Sequence, residues 1–227
     1  MTKGDGMWEQ LMIRRRREAG LSVVLGLQAS IMFVVAPMAA TGFASPAVVD
    51  AFRFGLAAAA VLMLTRSRTS ALIIGATFVA SLVLSITLRG GVSETAVYIL
   101  RLLVTSAFDA AVAYSVARLA FGSGKVTVHR IMGGVILYLS IGLLFANGYR
   151  AADLLLHASF GGLGGGQHAA LSELLYFSLS TLTTTGFGDI RPLHPFVRSM
   201  ANLEAVVGQL YPATLLARLV TLHTSAE

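Results

Sequence analysis

Long apolar runs separated by short polar or glycine-rich breaks set the pattern of this chain. Six of them, Leu21–Ala40, Val48–Leu64, Ala71–Leu88, Ala96–Phe121, Ile131–Asn147 and Phe196–Leu222, are near the length of a membrane-spanning helix, which needs about 20 apolar residues to cross about 30 Å of hydrocarbon. A further run, Ala169–Thr183, is too short to cross. It reads as a half-membrane helix that enters and turns back. Such backbone is tolerated at membrane depth only where protein or a water-filled cavity surrounds it. The pattern predicts an all-α membrane protein with six transmembrane helices and one re-entrant helix.

Composition sharpens this reading. Of 227 residues 56% are hydrophobic and 12% charged, against about 25% charged in a soluble domain. The formal charge of +6 comes mainly from 15 arginines. In a membrane chain such an excess reads first as topology and headgroup contact, and nucleic-acid binding is a poor alternative. With no cysteine, disulfides, thiolate metal sites and cysteine nucleophiles are excluded.

The basic residues also give an orientation. Arg14–Arg17, then Arg66 and Arg68, then Lys125 and Arg130 fall on one side, while the opposite loops hold Arg89, Arg150 and Arg191. Both termini are therefore predicted cytoplasmic, in a multi-pass protein of the cell membrane. The basic run before Leu21 could alternatively open a signal peptide, with Met38-Ala39-Ala40 near a cleavage site, but its apolar stretch is long for that role. Residues 148–167 carry Gly161, Gly162, Gly164, Gly165 and Gly166. That loop is expected to lack regular structure. Too few residues follow the last apolar run for a soluble ligand-binding domain, and none is expected.

The most informative stretch is Ser178–Asp189, SLSTLTTTGFGD. A dehydrated cation needs stacked cages of oxygen, and backbone carbonyls aimed at one axis can supply them. Aiming successive carbonyls the same way puts alternate residues in left-handed backbone, which suits Gly186 and Gly188. Thr184 can add a hydroxyl oxygen, and Asp189 at an outer mouth would concentrate cations. An ordinary glycine-rich turn closed by an aspartate is the bland reading. It is disfavoured by the flanking apolar runs.

The six residues Thr184-Thr185-Gly186-Phe187-Gly188-Asp189 resemble the selectivity filter of the potassium channel family, commonly T-V-G-Y-G-D. The resemblance covers roughly residues 130–222, whereas residues 1–125 match only in the number of spans. It implies a homotetramer in the lipid bilayer, with K⁺ coordinated at Thr184, Thr185, Gly186 and Phe187, and also by Gly188. No organic cofactor and no catalytic step are expected. Three parts follow: an N-terminal segment 1–20, a four-helix membrane domain 21–125, and a pore domain 126–224. Tyr176 and Phe177 stand where the family has an aromatic cuff around the filter. Gly208 stands at the family's inner-helix hinge, four residues before Pro212, which should kink the helix. The alternative for Gly208 is close approach of a neighbouring helix. Gln209, Pro212, Leu216 and Val220 are candidates to line the inner cavity, with Leu216 and Val220 as an apolar constriction.

Two residues depart from the common filter. Thr185 replaces valine and brings a hydroxyl that needs a partner, and Phe187 replaces tyrosine and lacks the hydroxyl that bonds the cuff. K⁺ selectivity is expected to survive in a filter that distorts more easily. A weakly selective cation pore is the alternative.

Several charges lie within apolar runs, where they mark functional sites by default. Glu204 is expected behind the filter, bonded to Ser178, Ser180 or Thr181. Asp109 needs Arg53 or Arg101 as its partner. Steps of three from Arg101 meet Val104, Ala107, Ala110 and Ala113, so no arginine ladder for voltage sensing is present. Glu173 is expected near the outward start of the short helix, and Arg118 to extend to the interface. A secondary transporter would show a second broken helix in a repeated half, and none is visible. The five histidines show no metal-ligand spacing, so an enzyme is not expected, although His157, His168 and His194 on the outer side could respond to external protons.

Overall fold

In the computed structural model, residues 20–64, 68–89, 95–121, 128–156, 158–164 and 167–224 are described. Arg14–Arg17, Arg66, Lys125, His157, Gly165 and Gly166 lie outside them, as do the side chains of Arg68, Arg89, His168 and Val220.

The first described helix, α1, is Gly20–Ala40. It widens into a π turn at Ile31–Val35, closed by Ala36 N–H to Ile31 O, just before Pro37. Proline offers no N–H to the preceding turn, and the wide turn absorbs that loss. Helix α2, Pro46–Ala59, starts on a proline and runs on into a second π segment, Ala60–Leu64. Helices α3 (Arg68–Arg89), α4 (Thr95–Ala120) and α5 (Val128–Leu155) follow. The shorter α6 is Gln167–Leu182, and α7 is Pro195–Thr224.

Among the described residues three helices are long and apolar enough to cross a membrane: Gly20–Ala40, Ala96–Arg118 and Arg130–Leu155. Apolar stretches of α2 and α3, Ala51–Leu62 and Ala71–Leu84, are shorter. Helix α7 has the length, 30 residues, or about 45 Å. The outward faces are apolar: Leu72, Val79, Val83 and Ile86 on α3, and Leu203, Val206 and Leu210 on α7, are exposed. A soluble surface does not sustain such stripes. The chain is a membrane protein.

Three buried clusters join the helices. Val24, Leu56, Ile74, Phe78, Phe108, Val116 and Ile136 bind α1–α4 to α5. Met32 of α1 packs with Ala146 of α5 and Leu175 of α6, so the first helix lies against the carboxyl-terminal part. Tyr149, Leu174, Phe177, Ile190 and Val197 form the third cluster, around which α5, α6 and α7 meet.

The glycine-rich loop is more ordered than its composition predicts. Helix α5 continues to Leu155, and strand β1 (Phe160–Gly161) pairs antiparallel with β2 (Arg191–Pro192). The expectation of a loop without regular structure is corrected. Ser159 fixes the turn, its hydroxyl donating to Leu156 O at 2.7 Å while its carbonyl accepts from Leu193 N–H at 2.9 Å. Glycine content misled because residues outside the loop, Arg191–Pro192 and Leu193, supply the paired strand and one of these bonds.

Candidate functional site

Helix α6 stops at Leu182, and the next amides turn back onto it. Thr184 N–H bonds Thr181 O at 2.9 Å, while Thr185 and Gly186 N–H both reach Ser180 O, at 2.8 and 3.1 Å. From there positive φ alternates along the chain, at Thr184 (59°), Gly186 (59°) and Gly188 (81°). Alternating left- and right-handed residues gathers N–H groups on one face of the backbone and carbonyls on the other. The left-handed backbone expected at Gly186 and Gly188 is present. Thr184 shares it despite carrying a Cβ, at a cost of about 1–2 kcal/mol. Residues 183–189 are all exposed on the single chain.

The Thr185 hydroxyl has its partner: Thr183 Oγ1 lies 2.9 Å away and also donates to Leu179 O at 2.7 Å. Phe187 stacks on Tyr176, with ring centroids 5.6 Å apart and planes 12° from parallel. The Tyr176 hydroxyl is also within electrostatic reach of the Asp189 carboxylate. Phe177 turns the other way. It is buried against Tyr149 and Phe160, at centroid distances of 5.0 and 5.4 Å. Of the two aromatics grouped as a cuff, only Tyr176 stacks on the segment after α6.

A buried carboxylate lies where α5, α6 and α7 meet. Glu204 of α7 is fully buried and accepts hydrogen bonds from Ser178 Oγ of α6 and, at 2.7 Å, from Tyr149 Oη of α5. Ser178 is one of the three partners expected from the sequence. Tyr149 was missed, because nothing in the pattern of α5 marks which of its apolar positions faces Glu204. Ser178 Oγ also lies 2.8 Å from Gly142 O.

Gly208 meets α6 rather than a cavity. A methyl group there would overlap the backbone carbonyl of Leu182, which also accepts from Tyr138 Oη at 3.0 Å. Helix α7 runs through Gly208 and Pro212 as one element. Pro212 leaves the Gly208 carbonyl without its intrahelical donor, so the two residues mark one weak point. Gln209, Pro212 and Leu216 are exposed, and Val220 lies on the same helix where only backbone is described. Nearer the carboxyl end of α7 Tyr211 Oη donates to Gly134 O at 2.8 Å, joining α7 to α5.

The loop after α5 contributes to the far end of the segment. Gly162 (φ 92°) lies against the Asp189 carbonyl, where any side chain would overlap it. Gly164 N–H donates to the Glu173 carboxylate at 3.2 Å, so Glu173 anchors this loop to α6. His194 Nδ1 accepts from Phe196 N–H at 3.2 Å, at the start of α7.

Away from this region, Asp109 is buried in α4 and accepts from Asn147 Nδ2 of α5 at 3.2 Å. Arg53, one of the two expected partners, is the charge that acts on it. Arg118 lies over the Tyr114 ring, 5.8 Å from its centroid.

Residues 131–225 match the model of a protein family described as ion channel. The match takes in nearly all of α5, all of α6 and the segment after it, and α7. It supports a general ion-channel function and points to a channel rather than an enzyme. In the comparisons with curated proteins and with solved structures, nothing matches.

Proposed function

We propose that the protein conducts K⁺ passively across the cell membrane through a homotetrameric pore. The observation that carries this reading is the alternation of positive φ at Thr184, Gly186 and Gly188 in a segment exposed on the single chain. One chain supplies one wall of carbonyls, and a ring of four closes cages around a dehydrated cation. Thr184, Thr185, Gly186, Phe187 and Gly188 coordinate the ion as it passes, and Asp189 gathers cations at the outer mouth. Tyr176 supports the wall directly by stacking on Phe187, while Phe177 and Glu204 support it through α6, which they hold against α5 and α7. Six spans with both termini cytoplasmic direct the filter outward, and α6 is the re-entrant pore helix. Its carboxyl end, the negative end of the helix dipole, favours a cation in the cavity. The exposed apolar face of α7 meets the neighbouring subunits, and Gly208, Gln209, Pro212, Leu216 and Val220 form the hinge and the inner path.

A weakly selective cation channel is the second reading, favoured by the absence of a hydroxyl on Phe187. Its ring meets Tyr176 by stacking alone, which restrains distance less sharply than a hydrogen bond.

The test is cation flux through the purified protein in liposomes under opposed K⁺ and Na⁺ gradients. Reversal near the K⁺ equilibrium potential supports the selective channel, and reversal near zero with clear flux supports the second reading. Gly186→Ala is expected to abolish the current, because alanine resists the left-handed backbone. Undiminished current in that variant would refute the filter assignment.

A further inference from the structure

Helix α6 ends on four carbonyls that its own ladder does not bond, those of Leu179, Ser180, Thr181 and Leu182. Three of them are taken up by the amides that follow. Thr183 N–H reaches Leu179 O at 3.0 Å, Thr184 N–H reaches Thr181 O at 2.9 Å, and Ser180 O accepts from both Thr185 and Gly186. The fourth is held from another helix: Tyr138 Oη of α5 donates to Leu182 O at 3.0 Å. Gly186 N–H, which a further turn of helix would bring to Leu182 O, is committed to Ser180 O instead. Leu182 is fully buried, and a buried carbonyl needs a donor from the protein. Tyr138 is that donor.

The hydroxyl is itself fixed in place. The Tyr138 ring lies against Tyr211 of α7, with centroids 5.6 Å apart and planes 32° from parallel. Tyr211 Oη is bonded in turn to Gly134 O at 2.8 Å, about one turn from Tyr138 along α5. Gly208 of α7 leaves just the room that the Leu182 carbonyl occupies, since a Cβ there would overlap it. One helix therefore holds this carbonyl and another confines it.

Position gives the bond its consequence. The Leu182 carbonyl belongs to the peptide joining Leu182 to Thr183, and the left-handed backbone begins one residue later, at Thr184. Peptide units are planar, so only the φ and ψ of Thr183 separate this plane from the next. Thr183 has little freedom to absorb a tilt, because its Oγ1 is tied to Leu179 O at 2.7 Å. The orientation of the Leu182 carbonyl is passed on to the oxygens of Thr184.

We infer that Tyr138 is a positioning residue for the innermost cation site, acting through the Leu182 carbonyl; the inference rests on the channel reading above. With the hydroxyl in place, the foot of the segment is anchored to α5 and the cage at Thr184 keeps its size. Without it the foot rotates, the cage adjusts to either ion, and K⁺ loses its advantage over Na⁺.

The experiment uses the purified full chain and reads ion binding separately from current. KCl or NaCl is titrated by calorimetry into protein in detergent, with N-methylglucamine as the only other cation. The K⁺ over Na⁺ preference is read from the reversal potential in liposomes. Tyr138→Phe keeps the ring that meets Tyr211 and removes the hydroxyl alone. Its K⁺ affinity and its preference for K⁺ are each expected to fall between about twofold and tenfold, the span that one lost hydrogen bond covers. Tyr211→Phe is the control for a purely structural effect. It loses a hydroxyl bond to a carbonyl inside α5, where the helix supplies its own donor. Its melting temperature is expected to fall while affinity and preference stay at the wild-type values. The inference is overturned if Tyr138→Phe binds K⁺ and discriminates as the wild type does, or if Tyr211→Phe shows the same losses. A wild-type chain with neither saturable K⁺ binding nor current overturns the channel reading itself, and the inference falls with it.

Discussion

Tyr149 donates its hydroxyl to the carboxylate of Glu204 at 2.7 Å, across 55 residues of chain and at the centre of the contact between α5, α6 and α7. Ser178 supplies the second donor. A buried carboxylate is tolerated only with such partners, and here the partners come from the two helices against which α7 packs.

Removing one partner leaves a buried carboxylate oxygen unsatisfied, at about 1–3 kcal/mol. Tyr149→Phe and Ser178→Ala are each expected to lower the melting temperature in detergent. Glu204→Gln keeps the shape and offers both an acceptor and a donor, so it should cost less than either. The double variant of Tyr149 and Ser178 should be non-additive, since both act on one group. Additive losses would mean that the two hydroxyls stabilise separate contacts.

Gly208→Ala separates close approach from hinge action. The Leu182 carbonyl occupies the space a methyl would need, so α7 must move away from the end of α6. A loss of about 1–3 kcal/mol, the usual range for overpacking, is expected, together with loss of current. Retained stability with altered opening would instead assign Gly208 to bending alone.

Much of this arrangement was legible in the sequence, and the reasons differ by residue. Gly186 and Gly188 could be read because only backbone conformation decides them. Glu204 could be read because a carboxylate in an apolar run demands a partner, and Ser178 lay within the right stretch. Arg53 does act on Asp109, but Asn147, which donates to the same carboxylate, carries no comparable signal because a neutral amide does not demand a charged partner. Tyr149 and Tyr138 carry no local signal. Their hydroxyls matter because of where α5 crosses α6 and α7, which no periodicity encodes. The loop at 158–164 was misread for the same reason, since its order comes from residues 189–194.

Gly162→Ala probes that loop. A side chain at 162 would displace the Asp189 carbonyl, and with it the far end of the segment proposed as the filter. Smaller unitary current is expected, with stability changed less than by Gly208→Ala because Gly162 is exposed. Unchanged conductance would show that Asp189 tolerates displacement.

Thr185→Val tests whether the departure from the common filter loosens it or restrains it. Valine keeps the branched shape of threonine and loses the 2.9 Å contact with Thr183 Oγ1. Thr183 still donates to Leu179 O, so no buried group is stranded, and the change in stability should stay within about 0.5 kcal/mol. The contact links the last turn of α6 to the segment beyond it, and its loss frees that segment to widen. The K⁺ over Na⁺ preference, read from the reversal potential in liposomes, is therefore expected to fall. Thr183→Val should produce the same fall, and the double variant no more than either single one, because both remove one shared contact. A rise in preference in Thr185→Val would mean that the hydroxyl disturbs the carbonyl wall instead of holding it.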